Sequence, residues 1–329
     1  MATYDVVGVG NALVDILCHV EDGFLASHGV EKGIMQLIDA DRAVELYGVM
    51  GPAQEISGGS AANTIAGLAL LGAKTAYVGK VKDDQLGAIF AHDIRAMGAT
   101  YEVPLAPRAE AHETGRCMVL VTPDGERSMN TYLGVSEALG PDDVDPKLCA
   151  DAKWLYLEGY RFDGPASVAA FDKAIRACRD AGGKVSITLS DPFCVDRHRE
   201  AFKALIAQST DLLFANEHEL MSLYETDDLA KAMDMAAEDV EIAAVTVGAR
   251  GAYAVTGSAR IHAPTAAVQV VDATGAGDLF ASGFLAGLVA GRDLGTCASM
   301  GCVAAGEVIS HIGARPEADL KALMSARGL

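Results

Sequence analysis

The sequence predicts an α/β protein: a doubly wound, mostly parallel sheet carrying a small β-sheet lid. Three observations predict it. From residue 150 onward β-rich runs alternate with helical ones, polar strings fall at the ends of successive β runs, and two separated stretches of the N-terminal half carry short β segments. Alternation of strand and helix is the pattern of a parallel sheet covered on both faces. Ligands in such sheets gather at the carboxyl ends of the strands. The expected division is a core from residues 1–11, 58–102 and 135–329, with a lid from 12–57 and 103–134.

Taken in order, Tyr4 to Val9 reads as a first, central strand of the core sheet. The string Gly8-Val9-Gly10-Asn11-Ala12-Leu13 imitates a dinucleotide fingerprint, but Leu13 occupies the third glycine position and residues 14–20 alternate like a strand where a helix is required. Asn11 and Asp15 then share one face of an extended chain, suited to hydroxyl groups, although surface placement also fits either residue. A helix is expected near residues 39–50. Ser57-Gly58-Gly59-Ser60-Ala61-Ala62-Asn63 opens another that runs to about Leu71: the glycines let a ligand approach the backbone, Ser60 serves as cap, and Asn63 points from the first turn. An ordinary glycine turn explains the same string. Gly67 to Thr75 resembles a Walker A loop only at a glance, because its spacing is wrong and its interior is Leu and Ala.

Residues 76–81 read as a strand and 84–97 as a helix, and Thr114 to Val121 pairs with Ser128 to Leu133 across Pro123-Asp124-Gly125-Glu126. Arg116, on the first hairpin strand, is within reach of a substrate anion or is simply a surface arginine. The alternation that follows gives strands at 154–157, 184–189, 212–215 and 242–247, with helices at 167–181, 199–208, 218–224 and 228–237. The rim strings are Gly159-Tyr160-Arg161, Ser190-Asp191-Pro192-Phe193, Asn216-Glu217-His218-Glu219 and Thr246 to Gly251, including Gly248.

The stretch Asp272-Ala273-Thr274-Gly275-Ala276-Gly277-Asp278 joins a strand end to a buried helix. Such a junction is an anion site, since successive N–H groups at 275–278 and the positive end of the helix dipole favour phosphate. Asp278 in the same turn is suited to removing a proton from an attacking alcohol. It also reads as a helix N-terminal residue favoured by the dipole.

Composition bounds the partners. A formal charge of −19 on 329 residues, without a basic run, argues against nucleic acid and anionic membrane. Seven scattered cysteines with no Cys-x-x-Cys read as buried thiols of a reducing cytoplasm. No signal peptide is expected at the N-terminus, and the longest apolar stretch, 279–291, falls short of the about 20 residues needed to span a bilayer. No linker or repeat divides the chain.

These strings together resemble the ribokinase-like (PfkB) family of carbohydrate and nucleoside kinases over nearly the whole length. Asp272 to Asp278 is similar to the family's C-terminal signature, and Gly58 to Asn63 to its N-terminal one. The resemblance implies that Gly275, Ala276 and Gly277 form an anion hole and that Asp278 is the general base. Asn216 and Glu219 match its Asn-x-x-Glu string, associated with magnesium and phosphate, and Thr246, Gly248 and Gly251 match the loop along the nucleotide. Gly10 to Ile16 and Gly58-Gly59-Ser60 are similar to the adenosine kinase branch. That likeness implies Asp15 on ribose hydroxyls, Ser60 and Asn63 seating the nucleoside and Tyr160 stacked on a base; Asn11, Gly59 and Arg116 are the further residues expected on the substrate side. The pair Asp272 and Thr274 is similar to that of members using a monovalent cation, which leaves K⁺ dependence open beside ATP and Mg²⁺.

The implied reaction is in-line transfer from ATP to an alcohol, the 5′-hydroxyl of adenosine first and a ribose or fructose hydroxyl as the alternative. A non-catalytic nucleoside-binding protein would share the pocket without needing Asp278. Monomer and homodimer both remain open.

Overall fold

The computed structural model describes residues 2–164 and 166–329. Thirteen strands form two sheets among these residues. The larger contains β1 (Tyr4–Val9), β5 (Thr75–Val78), β8 (Ala152–Glu158), β9 (Lys184–Thr188), β10 (Leu212–Asn216), β11 (Ile242–Thr246), β12 (Ala252–Thr256) and β13 (Ala259–Ala263). Its order is β13-β12-β11-β10-β9-β8-β1-β5, parallel from β11 to β5 and antiparallel at β12 and β13. This is the ribokinase-like fold. The first strand is not central: β1 lies next to the edge, with only β5 beyond it. Its sequence is apolar because Val6 to Val9 are buried on successive, opposite-facing positions, a pattern that reports burial and carries nothing about position in the sheet.

The smaller sheet contains β2 (Leu13–His19), β3 (Met35–Leu37), β4 (Gln54–Gly58), β6 (Thr114–Val121) and β7 (Arg127–Gly134), in the order β3-β7-β6-β2-β4. Period-2 alternation sets its two faces. Asp15 is paired in register with Cys117, and both line the cleft between the sheets, so the alternate position 116 faces away.

Helix boundaries differ from the expectation at one informative place. The helix expected from Arg199 begins at Pro192 and runs to Ser209, with a non-helical residue at His198 (φ −125°). Asp191 caps it by accepting the Cys194 N–H (2.6 Å), and Pro192 takes the first helical position, where its missing N–H costs nothing. The rim string at 190–193 is therefore a helix start.

The core beneath the rim is closed by helices Ala276–Val289 and Leu294–Val308. Glycines let their backbones approach: a Cβ at Gly283 would overlap the Met300 carbonyl, and one at Gly301 would stand 2.6 Å from the Phe280 ring. Phe280 and Phe284 on the helix each pack edge to face against Phe214 of β10. The turn before residue 276 thus rests on a wall that cannot expand. Gly283→Ala is expected to destabilise the protein by roughly 1–3 kcal/mol, the usual cost of overpacking, read from the midpoint and slope of urea unfolding. An unchanged midpoint would mean that the two helices part easily.

Candidate active site

A cleft of about 620 Å³ lies between the two sheets, over the carboxyl ends of the parallel strands. At its floor Gly275, in the left-handed conformation (φ 76°), ends the loop and begins helix Ala276–Val289. A Cβ there would stand 2.8 Å from that of Ala314, so glycine is required by both conformation and space. The N–H groups of Gly275, Gly277 and Asp278 have no acceptor among the described residues, and that of Ala276 reaches only the Ala273 carbonyl at 3.4 Å. Unpaired donors at a helix start attract an anion.

Asp278 faces the cleft. Its Oδ1 accepts the Ser60 hydroxyl (2.6 Å) and its Oδ2 the Asn63 amide (2.9 Å). Burial pushes its carboxyl above the usual range, while those two hydrogen bonds and the charges of Arg315 and Arg127 pull it back. Ser60 is therefore not the helix cap expected of it. Gly59 (φ 96°) takes the cap position and frees the hydroxyl for Asp278. Asn63 keeps its Oδ1 buried and without a donor.

Asp15 lines the same cleft, and its carboxylate lies so close to Gly58 that any Cβ there would overlap it. Burial, its largest cause, pushes Asp15 up to about 7, helped by Asp278 and opposed by Arg315. Asn11 behaves differently. Its amide donates to Glu158 Oε1 (2.7 Å), and its Oδ1 accepts from Ser136 Oγ (2.9 Å) and Arg161 Nη1 (3.0 Å). Although Asn11 lines the cleft, its polar atoms are engaged within the protein. Its place is to hold Glu158, whose Oε2 also accepts the Ala61 N–H (2.8 Å) and whose carboxyl burial raises to about 7.

Arg116 stands outside the cleft. It pairs with Glu113 (2.7 Å) and lies over the Tyr132 ring, on the sheet face opposite Cys117. The cleft-facing arginine is Arg127, at the start of β7, whose Nε reaches Asp272 Oδ1 (3.2 Å). Strand parity would have found it, because Arg127, Met129, Thr131 and Leu133 alternate along β7 and all line the cleft. Arg315 and Glu158 stand in none of the sequence strings, each lying far in sequence from the residues it serves, and Arg161 stands in the rim string at 159–161 with no role of its own assigned there.

Asn216 and Glu219 form a capping box at helix Glu217–Leu223. Glu219 N–H donates to Asn216 Oδ1 (2.9 Å), and Asn216 N–H (2.9 Å) and Nδ2 (2.6 Å) donate to the two Glu219 oxygens. Burial raises the Glu219 carboxyl to about 7, against its bonds from Asn216. Each carboxyl oxygen keeps a lone pair, so the pair fits a hydrated cation better than a stripped one. Thr246, Gly248 and Tyr160 line the cleft, with the Tyr160 N–H on Ser190 Oγ (3.2 Å). Gly251 does not line it; its φ of 97° and the nearby Ala263 carbonyl mark it as a turn residue.

Asp272 is fully buried, and its carboxylate is surrounded by donors: the Thr274 N–H (2.9 Å) and hydroxyl, the Gly313 N–H (2.9 Å) and Arg127. The Asp272 and Thr274 side chains do not fit a K⁺ site, since N–H donors and a guanidinium already fill the positions a cation would need. Among the described residues no three His, Cys, Asp or Glu side chains gather as metal ligands, and no helix is long and apolar enough to cross a membrane.

The pattern described as pfkB family carbohydrate kinase matches residues 34–320. The chain belongs to the pfkB family of carbohydrate kinases. It is a phosphotransferase, and its family implies use of ATP. This pfkB-family kinase is 35% identical over 233 residues to an ATP-dependent ribose-1-phosphate kinase of Halopiger xanaduensis, covering 71% of this chain and 73% of that protein. A crystal structure of a probable sugar kinase from Rhizobium etli is 49% identical with a TM-score of 0.96, over 100% of this chain and 99% of the other. The adenosine kinase from Sinorhizobium meliloti is 48% identical with a TM-score of 0.95, over 99% of both chains.

Asp272→Ala is expected to destabilise the protein by roughly 3 kcal/mol, because it leaves buried donors and Arg127 without their acceptor. Urea unfolding measures this, and a loss below roughly 0.5 kcal/mol, the range of an exposed pair, would mean that the turn is held by other contacts.

Proposed function

We propose that this kinase transfers the γ-phosphoryl group of ATP to the 5′-hydroxyl of a nucleoside, with adenosine giving AMP. The observation that carries the chemistry is Asp278 facing the cleft beside unpaired N–H groups. Asp278 accepts the proton of the substrate hydroxyl, and the alkoxide oxygen forms its bond to the γ-phosphorus. The bond to the β,γ-bridging oxygen breaks, and ADP departs with the electron pair. The N–H groups of Gly275, Gly277 and Asp278 receive the charge that gathers on the transferring oxygens, where fixed donors in a dry site act most strongly.

Asn216 and Glu219 would hold Mg²⁺ through water, where it would neutralise phosphate charge. Arg127 lies on the smaller sheet and pairs with the turn of the larger, so closure of that sheet as a lid would bring a cation over the phosphates and exclude competing water.

For substrate class, the cleft wall favours a nucleoside. Ile34, Met35 and Leu37 on one side and Tyr160, Pro192 and Phe193 on the other make an apolar slot that a free sugar has no use for. The full-length likeness to the Sinorhizobium adenosine kinase supports the same class. The second reading, a sugar or sugar-phosphate kinase, has the Halopiger and Rhizobium relatives in its favour.

ADP release coupled to a reporter, with adenosine, inosine, guanosine, ribose and fructose as acceptors, is expected to give adenosine the highest kcat/KM. A sugar ahead of all nucleosides would overturn the nucleoside assignment. Asp278→Asn is expected to lower kcat by roughly 10²–10⁴-fold, the usual weight of a general base, with nucleoside affinity by calorimetry nearly unchanged. Asp15→Ala is expected to raise KM for the nucleoside far more than for ATP; the reverse order would remove Asp15 from the sugar site.

A further inference from the structure

The segment Gly313-Ala314-Arg315 belongs to none of the motifs, yet it touches both halves of the site. Gly313 N–H donates to Asp272 Oδ2 (2.9 Å), Ala314 fills the space beside Gly275, and Arg315 Nε donates to the Ser57 carbonyl (3.1 Å). Ser57 opens a run of four residues with consequences for two carboxylates. Gly58 is the surface against which Asp15 packs, and Ser60 donates to Asp278. One short stretch of backbone therefore joins Arg315 to both acids.

Arg315 is only 8% exposed, and its Nη1 and Nη2 are buried with no acceptor. The contrast with Arg161 is instructive. That side chain, also buried, spends its terminal nitrogens on Asn11 Oδ1 and on the Ser136 and Leu139 carbonyls. A buried guanidinium that makes one hydrogen bond through Nε is a poor structural choice, because its desolvation is uncompensated. Its compensation is the field of the acids around it.

We infer that Arg315 is the buried counter-charge shared by Asp15 and Asp278, a positioning residue that acts on phosphoryl transfer through its charge and touches no substrate. This rests on the reading of Asp278 as the base. The groups whose charge bears on Arg315 are Asp15, Tyr77, Asp278 and Asp93, none of them in a direct ion pair with it among the described residues. Those facing Asp278 are Ser60, Asn63, Arg315 and Arg127, together with Asp15, Tyr156 and Glu219. Asp15 is faced by Arg315, Asp278, Arg127, Asp272 and Cys117. The cations acting on both acids are Arg315 and Arg127, and Arg127 is already paired with Asp272. Burial pushes both acids up, Asp15 to about 7, and Arg315 draws both down. The base works ionised, so activity rises with pH through its titration. Loss of a positive neighbour must move that rise to higher pH.

The test compares pH profiles of kcat and kcat/KM for the parent, Arg315→Gln and Arg315→Lys. Glutamine places an N–H donor where Arg315 Nε stands and removes the charge. Its acid limb is expected to move up by about one pH unit or more, with kcat recovering toward the parent value at alkaline pH, and lysine is expected to restore the acid limb. A uniform loss at every pH with an unmoved limb overturns the assignment and leaves Arg315 a brace. Should Arg315→Gln not fold, Arg315→Met, also uncharged, decides in its place: an acid limb moved to higher pH with kcat recovering at alkaline pH is expected, and an unmoved acid limb overturns the assignment. Asp278→Asn, assayed alongside, separates the two readings. Its near-complete loss of turnover with an unmoved Arg315→Gln limb removes Arg315 alone, whereas full turnover removes the base and the counter-charge together.

Discussion

The constraint on which the site depends, on the proposed reading of Asp278 as a base, is that a carboxylate stays ionised, largely out of water, beside a row of donors set to receive another anion. Each pKa unit by which burial raises an acid corresponds to about 1.4 kcal/mol against its charged form. Asp278 meets this cost with two short-range donors, Ser60 and Asn63, and two cations, Arg127 and Arg315. The donors come from the helix start after Gly59 and the cations from β7 and the C-terminal loop, so the turn at 275–278 is functional only when four distant parts of the chain converge. The parallel sheet supplies that convergence, since the loops after its strands emerge on one rim.

What was legible in the sequence follows from this. The two glycine-rich turns could be read because each carries its chemistry within about eight residues: Gly58 to Asn63 and Asp272 to Asp278. Arg127 and Arg315 could not, because their meaning lies in partners more than a hundred residues away or on another element. Reach toward a substrate anion and a surface position are both open for Arg116 in the sequence; once Asp15 is set against Cys117, the side chain at 116 must leave the cleft. Ser60 reads as a cap because capping is what serine does at a helix start, and tertiary demand from Asp278 outweighs the local preference. The position of β1 was illegible for a different reason. Burial on both faces looks alike whether a strand has one neighbour beyond it or five.

The network around Glu158 joins the chain where it passes between the sheets. Asn11 and Ala12 stand at the start of one passage and Ser136 at the end of another, and Glu158, Arg161 and Ser136 bind them to each other and to the Ala61 N–H. Asn11, Ser136, Glu158 and the terminal nitrogens of Arg161 each make more than one bond or contact within this set. That degree of satisfaction makes a buried polar network rigid, so relative movement of the sheets would concentrate in the strands beyond it.

β3 has a different character. It is three residues long, lies at the outer edge of its sheet, and is paired on one side only, to β7. It nevertheless lends Met35 and Leu37 to the apolar wall of the cleft, while the acids and the anion turn come from elsewhere. On the proposed reading, taste and reactivity are written in separate parts of the molecule. A lineage could exchange those few edge residues and acquire a new acceptor without disturbing the machinery that moves the phosphoryl group, which is how one scaffold comes to serve alcohols as unlike as a ketose and a nucleoside.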